Sequence, residues 1–457
     1  MRKLLLLNVA ALSPWEIGVD CPQFANLASA GGMRPLMAPE PALTCTSHAT
    51  MLTGQLPKAH GIVGNGWYEE SHGKIFNWGR SDKLVTGQKL WEAMHARAPS
   101  TTAVNLFWRY CTHSTCNLTL TERPTYHSNG RKGADVYASE LAFKHDVVQR
   151  FGAFPFFHFW GPKAGLNSSR WIVNVARHVI ESKSPDLLMV YAPGLDYDGQ
   201  RFGPKSEIAR QTLREGDQIF GELIADAQRA GMDVAVVSDY GFTTVERPIY
   251  LNRALREAGF VAVDAAANGD WLETNASRAF AVCDNQSAHV YVRHASDIDA
   301  VRSCLEGVPG VREVLGPDPD ASVCLGHERS GQLLAIAEPD AWFAYPYWMT
   351  DDRAPDFAKC VDIFNKPGFD PSEMFMREGF AGKLHVAKRF LQLKLGIRAP
   401  FDVISTRHEQ VRGARNIRPA HPSEGAVCIT SWANDWPTTL SMVDLKSQLL
   451  ARMFSDA

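Results

Sequence analysis

Thr44 stands at the start of the stretch in this chain that is most suggestive of chemistry. The run Pro41-Ala-Leu-Thr44-Cys-Thr-Ser-His48-Ala-Thr-Met-Leu-Thr53-Gly54 places a hydroxyl at a break in the chain, just before a helix-compatible segment. Pro57, His60-Gly61-Ile62 and Asn65 follow. A threonine hydroxyl is a poor nucleophile at neutral pH, and a base or a metal ion must activate it. Asp196, in Asp196-Tyr-Asp-Gly-Gln200, and Asp239, in Ser238-Asp239-Tyr240-Gly241, are the carboxylates whose surroundings suggest such work. Both have plainer readings. Threonine commonly caps helices, and aspartates at strand ends commonly form turns.

The elements that must position these residues are legible as well. Leu4–Ala10, Leu187–Ala192 and Asp233–Ser238 read as core strands, because strands of a parallel sheet are near-continuous apolar runs. Polar residues begin where each ends: Asn8 to Ser13, Asp196 to Gln200, Ser238-Asp239. Helical patterns over 171–181 and 207–229 lie between them. The fold class expected is therefore α/β, with a mostly parallel central sheet and helices on both faces. In such sheets ligands bind beyond the carboxyl ends of the strands, where these polar residues fall.

The texture changes near Pro248. A strand over 287–292, a short helix over 297–305, a turn and strand over 308–314 and a strand over 331–337 describe a small α+β unit inserted as a cap. Residues 342–376 read as irregular. Residues 382–398 are basic, with Leu384, Ala387, Leu391 and Leu395 at helical spacing. That stripe is expected to dock on the core, the alternative being a membrane surface. The division expected is 1–247 for the core, 248–380 for the cap and 381–457 for a return to the core.

The 457 residues carry a formal net charge of -3, with 45% hydrophobic and 21% charged residues. This is ordinary globular composition and does not suggest a nucleic acid polymer or an anionic membrane as partner. No apolar run reaches the ~20 residues of a membrane span. The start, Met1-Arg-Lys-Leu-Leu-Leu-Leu, could pass for a short signal peptide, but a buried first strand is expected instead. Nine scattered cysteines lack Cys-x-x-Cys spacing and fit a reducing, cytoplasmic setting.

The segment from Pro41 to Asn65 resembles the nucleophile segment of the nucleotide pyrophosphatase/phosphodiesterase branch of the alkaline phosphatase superfamily. In that branch a threonine nucleophile lies between two metal ions, usually zinc, held by Asp and His residues from several strands. The resemblance implies Thr44 as nucleophile and Asn65 as a donor to a phosphoryl oxygen. It implies Asp196 and Asp239 as surviving metal ligands, with Gly203-Pro204 also matching. Elsewhere the chain departs from the pattern. Asn8 stands where Asp is expected, and Gln200, Tyr240 and Arg415 stand where His is expected.

Charge counting bears on the metals. Two divalent ions bring four positive charges, and only two carboxylates remain to offset them while Arg415 adds one more. Two unit charges ~5 Å apart at an effective dielectric near 20 interact by roughly 3 kcal/mol. A second metal beside Arg415 is thus disfavoured. At most one divalent ion is expected, and none is the alternative. The oxygen and amide set of Asn8, Thr44, Asp196, Gln200 and Asp239, with Tyr240 beside it, suits Mg, Mn or Ca better than Zn. Arg415 is expected to replace the missing metal, since its planar fork can clamp two phosphoryl oxygens. His48, His60, His408 and His421 are candidate displaced ligands, His60 being the most structural in aspect. Trp67, Tyr68 and Trp78 are candidates to stack on a substrate ring.

The function expected is hydrolysis of a phosphoester or phosphoanhydride on a small phosphorylated substrate through Thr44. The alternatives are a metal-poor biosynthetic transferase or isomerase on the same fold, or a non-catalytic phosphate-ligand binding protein.

Overall fold

The computed structural model describes residues 1–128, 132–316 and 325–455. At its centre is a nine-stranded sheet. Its strands, in chain order, are β1 (Lys3–Val9), β2 (Met33–Met37), β3 (Ala103–Leu106), β4 (Leu118–Glu122), β5 (Val136–Ala138), β6 (Leu187–Ala192), β7 (Met232–Val237), β8 (Ala426–Thr430) and β9 (Leu440–Ser441). Their spatial order is β9-β2-β8-β7-β1-β6-β3-β4-β5. The sheet is parallel except at β8 and β5. The apolar start of the chain is thus the central strand, flanked by β6 and β7.

Every residue of β6 is buried, so both faces of the sheet are covered. Leu166–Lys183 and Glu207–Arg229 pack against each other, as do Thr44–Thr53 and the final helix Met442–Phe454. The helix Thr44–Thr53 is buried throughout, although six of its ten residues are hydroxylic or histidine. It tolerates this because its polar atoms are paired. Thr46 Oγ1 donates to the Pro41 carbonyl, Ser47 to the Asp239 carbonyl and Thr53 to the Ala49 carbonyl. Thr50 and His60 meet at 3.0 Å. A buried polar group without such partners is costly.

A four-stranded antiparallel sheet of Ala279–Asp284, Ser287–Val292, Leu333–Ala337 and Val311–Leu315 carries the helix Ile298–Glu306. This matches the elements expected between 287 and 337. Residues 342–376 contain only short 3-10 turns after the strand Ala341–Phe343.

One expectation fails. The helix Gly379–Lys394 does form, but Leu384, Leu391 and Leu395 are 57–66% exposed and Ala387 is exposed too. Its anchoring face is instead Val386, packed on Val403 and Ile404, with His385 and Arg389 bonded to Asp402. A single carboxylate bonded to two side chains of the helix fixes its rotation and leaves the leucine stripe outside. No helix among the described residues is long and apolar enough to cross a membrane. The eight described cysteines are all free.

Candidate active site

Four elements deliver the central side chains to one end of the sheet. Asn8 is the penultimate residue of β1, in register with Tyr191 of β6 and Val237 of β7. Asp196 opens the helix Asp196–Phe202 just after β6, and Asp239 follows β7. Thr44 opens its helix a few residues beyond β2. All lie past carboxyl ends of parallel strands.

Thr44 is not a cap. Leu43 holds the N-cap position, and its N–H donates to Thr46 Oγ1 at 3.1 Å. The Thr44 hydroxyl is left to face Tyr240 OH at 3.4 Å. It sits in the first turn of its helix, where the helix dipole favours negative charge. Asn65 accepts from the Cys45 N–H through Oδ1 at 3.0 Å, which leaves Nδ2 as its donor.

Arg415 arrives from far along the chain. Gly413–Asn416 pairs antiparallel with Gly241–Thr244, which sets Arg415 opposite Phe242. Gly413 permits the approach, because a Cβ there would stand 2.2 Å from the Gly199 carbonyl oxygen. The guanidinium is fully buried and lies 3.7 Å from Asp196 Oδ2 and 3.7 Å from Asp284 Oδ1. It packs over the rings of Tyr240, Phe369 and Trp78. Burial works against its charge, but Tyr240, Asp196 and Asp284 outweigh that effect and hold its pKa above the usual guanidinium value. Arg415 is thus enclosed within the protein.

Asp284 gave no sequence signal. It ends a strand, and Asn285 after it adopts a positive φ of 54°. Asn285 accepts from the Arg415 N–H at 3.2 Å and donates to Asp284 Oδ1 at 2.8 Å. One hairpin turn thus fixes both partners. Arg109 and Glu122 also went unread. Arg109 Nη1 donates to Glu122 at 2.7 Å, and its guanidinium covers Trp78. Burial would raise the Glu122 carboxyl, but Arg109 and Arg80 hold it at about 2.

Burial pushes Asp196 up to about 6, against the pull of Arg415. Burial likewise raises the Tyr240 phenol well above its ordinary value, with Arg415 opposing, so the phenol keeps its proton. His48 is fully buried, and burial lowers its pKa despite Asp239. Its Nδ1 accepts from the Arg109 N–H at 3.2 Å. Its Nε2 lies 2.8 Å from Asn8 Nδ2 and 3.6 Å from Asp239 Oδ2.

These contacts test the metal expectation on donor chemistry. Gln200 turns Nε2 toward Asp196 Oδ2 at 2.8 Å, so a proton occupies the place of a lone pair. Tyr240 keeps its hydroxyl proton, and Arg415 brings a permanent cation. A metal needs lone pairs at those points. Among the described residues no group of three or more His, Cys, Asp or Glu is arranged to hold a metal ion. The residues do not fit a two-metal centre. Both Asp239 carboxylate oxygens lack a hydrogen-bond partner among the described residues, as do Asp196 Oδ1, Asn8 Oδ1 and Gln200 Oε1, so oxygen for a single hard cation is present while the Arg415 cation stands against a second.

The other candidates fall elsewhere. His60 accepts from the Ile62 N–H and is structural. His408 lies by Asp370, and His421 is exposed beside Ser423. Trp67 packs near Ile62 and Val63, and Tyr68 packs on Phe280 and Tyr291. Of the three aromatic candidates only Trp78 lines the cavity at the site. That cavity measures about 1030 Å³, and Thr44, Asp196, Arg415, Arg109 and Glu122 stand on its wall.

The chain can now be set beside known proteins. The family model for type I phosphodiesterase / nucleotide pyrophosphatase matches residues 7–370. A Schizosaccharomyces pombe protein described as an uncharacterized pyrophosphatase/phosphodiesterase is 26% identical over 247 residues, covering 50% of this chain and 43% of the relative. The match thus spans less than half the length of that curated relative. Among solved structures, murine ectonucleotide pyrophosphatase / phosphodiesterase 5 superposes with a TM-score of 0.59 at 14% identity, over 100% of this chain and 96% of the other. An inactive form of that murine protein was solved in complex with AMP. Phosphonoacetate hydrolase from Sinorhizobium meliloti 1021, in complex with phosphonoformate, gives 0.63 at 12% identity, over 99% and 96%. These likenesses establish the α/β fold expected from the strand and helix pattern. With the family model matched over most of its length, the chain belongs to the type I phosphodiesterase / nucleotide pyrophosphatase family.

Proposed function

We propose that this protein hydrolyses a phosphoester or phosphoanhydride of a small phosphorylated substrate through Thr44, with side chains of its own in place of the paired metals. The observation that carries this reading is the chain of contacts from Thr44 Oγ1 to Tyr240 OH, with Asp196 beside the phenol and Arg415 over it. The Thr44 oxygen attacks phosphorus as its proton moves to the Tyr240 oxygen, and the phenol proton moves to the Asp196 carboxylate. The Oγ1–P bond forms and the bond to the leaving oxygen breaks. That oxygen takes up a proton from water. Water then attacks the phosphothreonine and gives up a proton that neutralises the hydroxide left by the first step, the Oγ1–P bond breaks, and the proton held on Asp196 returns through Tyr240 to Thr44.

The transferring group carries several negative oxygens that need positive charge and donors. Arg415 supplies a planar cation and Asn65 Nδ2 a neutral donor. Beside the Arg415 cation the site would take at most one divalent ion, with Asp239 among its oxygen donors, and no step above depends on it. The AMP and phosphonoformate held by the structural relatives are small phosphorus-bearing ligands, in keeping with this substrate class.

The proton-bearing donor set also favours a second reading, in which the phosphoryl group passes to an acceptor other than water. One experiment addresses both. Protein quenched in acid during turnover of an aryl phosphodiester is digested and analysed by mass spectrometry. Phosphate on Thr44 is expected. Aryl release in water identifies hydrolysis, while release only with an added alcohol identifies transfer. Turnover without phosphorylation at Thr44 would remove the nucleophile assignment.

A further inference from the structure

We propose that one substituent of the phosphoester is a long apolar chain, which the cavity beside Thr44 receives. This rests on the reading of Thr44, Asp196 and Arg415 as the phosphoryl site. The cavity of about 1030 Å³ stands at the top of the range for small-molecule sites. Its polar lining includes Lys163, Asp356, Asp362 and Arg398 as well as the groups of the phosphoryl site, but most of the wall is apolar. Phe154, Phe156, Phe159, Trp160, Phe364 and Phe401 form much of it. Phe157 and Phe390, both 47% exposed, stand where it meets solvent. A nucleotide would present ribose hydroxyls and base nitrogens to a mostly apolar wall with few partners for them, which is costly. A hydrocarbon chain meets the wall without that penalty.

The test measures binding of ethyl, octyl and dodecyl phosphonates, which resist hydrolysis, by calorimetry below their micelle concentrations. Affinity should rise by about fourfold for each methylene buried, and level off once the cavity is full. Phe157→Asp and Phe390→Asp, checked for folding by thermal melting, should flatten that rise. Equal affinity across the series would overturn the proposal. Hydrolysis of a short aryl phosphodiester is followed separately. Hydrolysis with flat binding removes only the chain proposal, whereas chain-dependent binding without turnover of any ester removes the hydrolase reading and leaves this one standing.

A second observation stands independently. On the helix Gly379–Lys394, Phe380, Leu384 and Leu391 form one stripe, continued by Leu395 just beyond it, and these four residues are 57–84% exposed. Lys383, Lys388, Lys394 and Arg398 are exposed around it, and no Asp or Glu occurs from Gly379 to Phe401. We infer that this stripe rests on an anionic lipid surface. The local charge favours such a surface although the whole chain is slightly acidic. The same helix also reaches the cavity, which its Phe390 lines together with Arg398 and Phe401 beyond it.

The protein should sediment with vesicles of phosphatidylcholine and phosphatidylglycerol, less with phosphatidylcholine alone, and less again in high salt. Leu384→Asp with Leu391→Asp should abolish sedimentation without changing the melting temperature. Wild-type protein that stays in the supernatant, or a dimer in light scattering that these changes dissolve, would overturn the inference.

Discussion

The Arg415 guanidinium lies midway in a buried row of charge, 3.7 Å from Asp196 on one side and 3.7 Å from Asp284 on the other. In the metal-dependent arrangement implied by the resemblance to the superfamily, a cation that can dissociate occupies this neighbourhood. Here the cation is covalently part of the chain and cannot be removed by a chelator.

Replacing Arg415 separates charge from geometry. Arg415→Met leaves two buried carboxylates facing an apolar side chain and should cost about 3–5 kcal/mol of stability by denaturant titration. Arg415→Lys keeps the charge and loses the planar fork. It should stay folded and lose on the order of 100-fold in kcat, the cost typical of a lost transition-state donor. Wild-type kcat in the lysine variant would show that the fork has no part in turnover.

Thr44→Ala should abolish turnover of an aryl phosphodiester. The melting temperature should change little, because Leu43 and Thr46 carry the helix start. Thr44→Ser should keep measurable activity. Retained turnover in the alanine variant would send the search for the nucleophile elsewhere.

Asp196 imposes opposite pH dependences on activity and stability. Its pKa is raised by burial from 3.8 to about 6. An acid whose pKa is higher folded than unfolded binds its proton more tightly in the native state. Its contribution to stability is therefore greatest at low pH and falls as pH rises from 3.8 through about 6. Catalysis needs the carboxylate as proton acceptor, so kcat/KM should rise with pH through about 6. Asp196→Asn should be slow, without that rise, and its melting temperature should lose the corresponding slope.

Protein purified without chelator should hold no more than about one tightly bound divalent ion per chain by elemental analysis. Restoring lone pairs with Gln200→His and Arg415→His should add a zinc ion beside Asp196. Two zinc ions in the unaltered protein would refute the assignment of Gln200, Tyr240 and Arg415 as proton-bearing replacements.

Much of the fold was readable because its signals are local. Leu187–Ala192 is an unbroken apolar run and forms a strand with those limits, and Glu207–Arg229 shows helical periodicity and forms a helix with those limits. The Thr44 segment was readable because its hydroxyl, turn and glycine residues are fixed by one short stretch. The stripe at Leu384, Leu391 and Leu395 was misread because periodicity reveals that a helix has an apolar face and is silent on where the face points. Asp402, a short way beyond the helix, decided that by holding His385 and Arg389.

The sequence by itself determined the α/β class, the strand-end placement of Asn8, Asp196 and Asp239, and the candidate nucleophile. These follow from burial patterns and spacing along the chain. Only the tertiary structure decided which groups meet. The pairing of Gly413–Asn416 with Gly241–Thr244 brought Arg415 to Asp196, and a hairpin turn brought Asp284 to Arg415. Contacts between residues more than a hundred positions apart depend on how whole elements pack, and no local pattern in the chain records that.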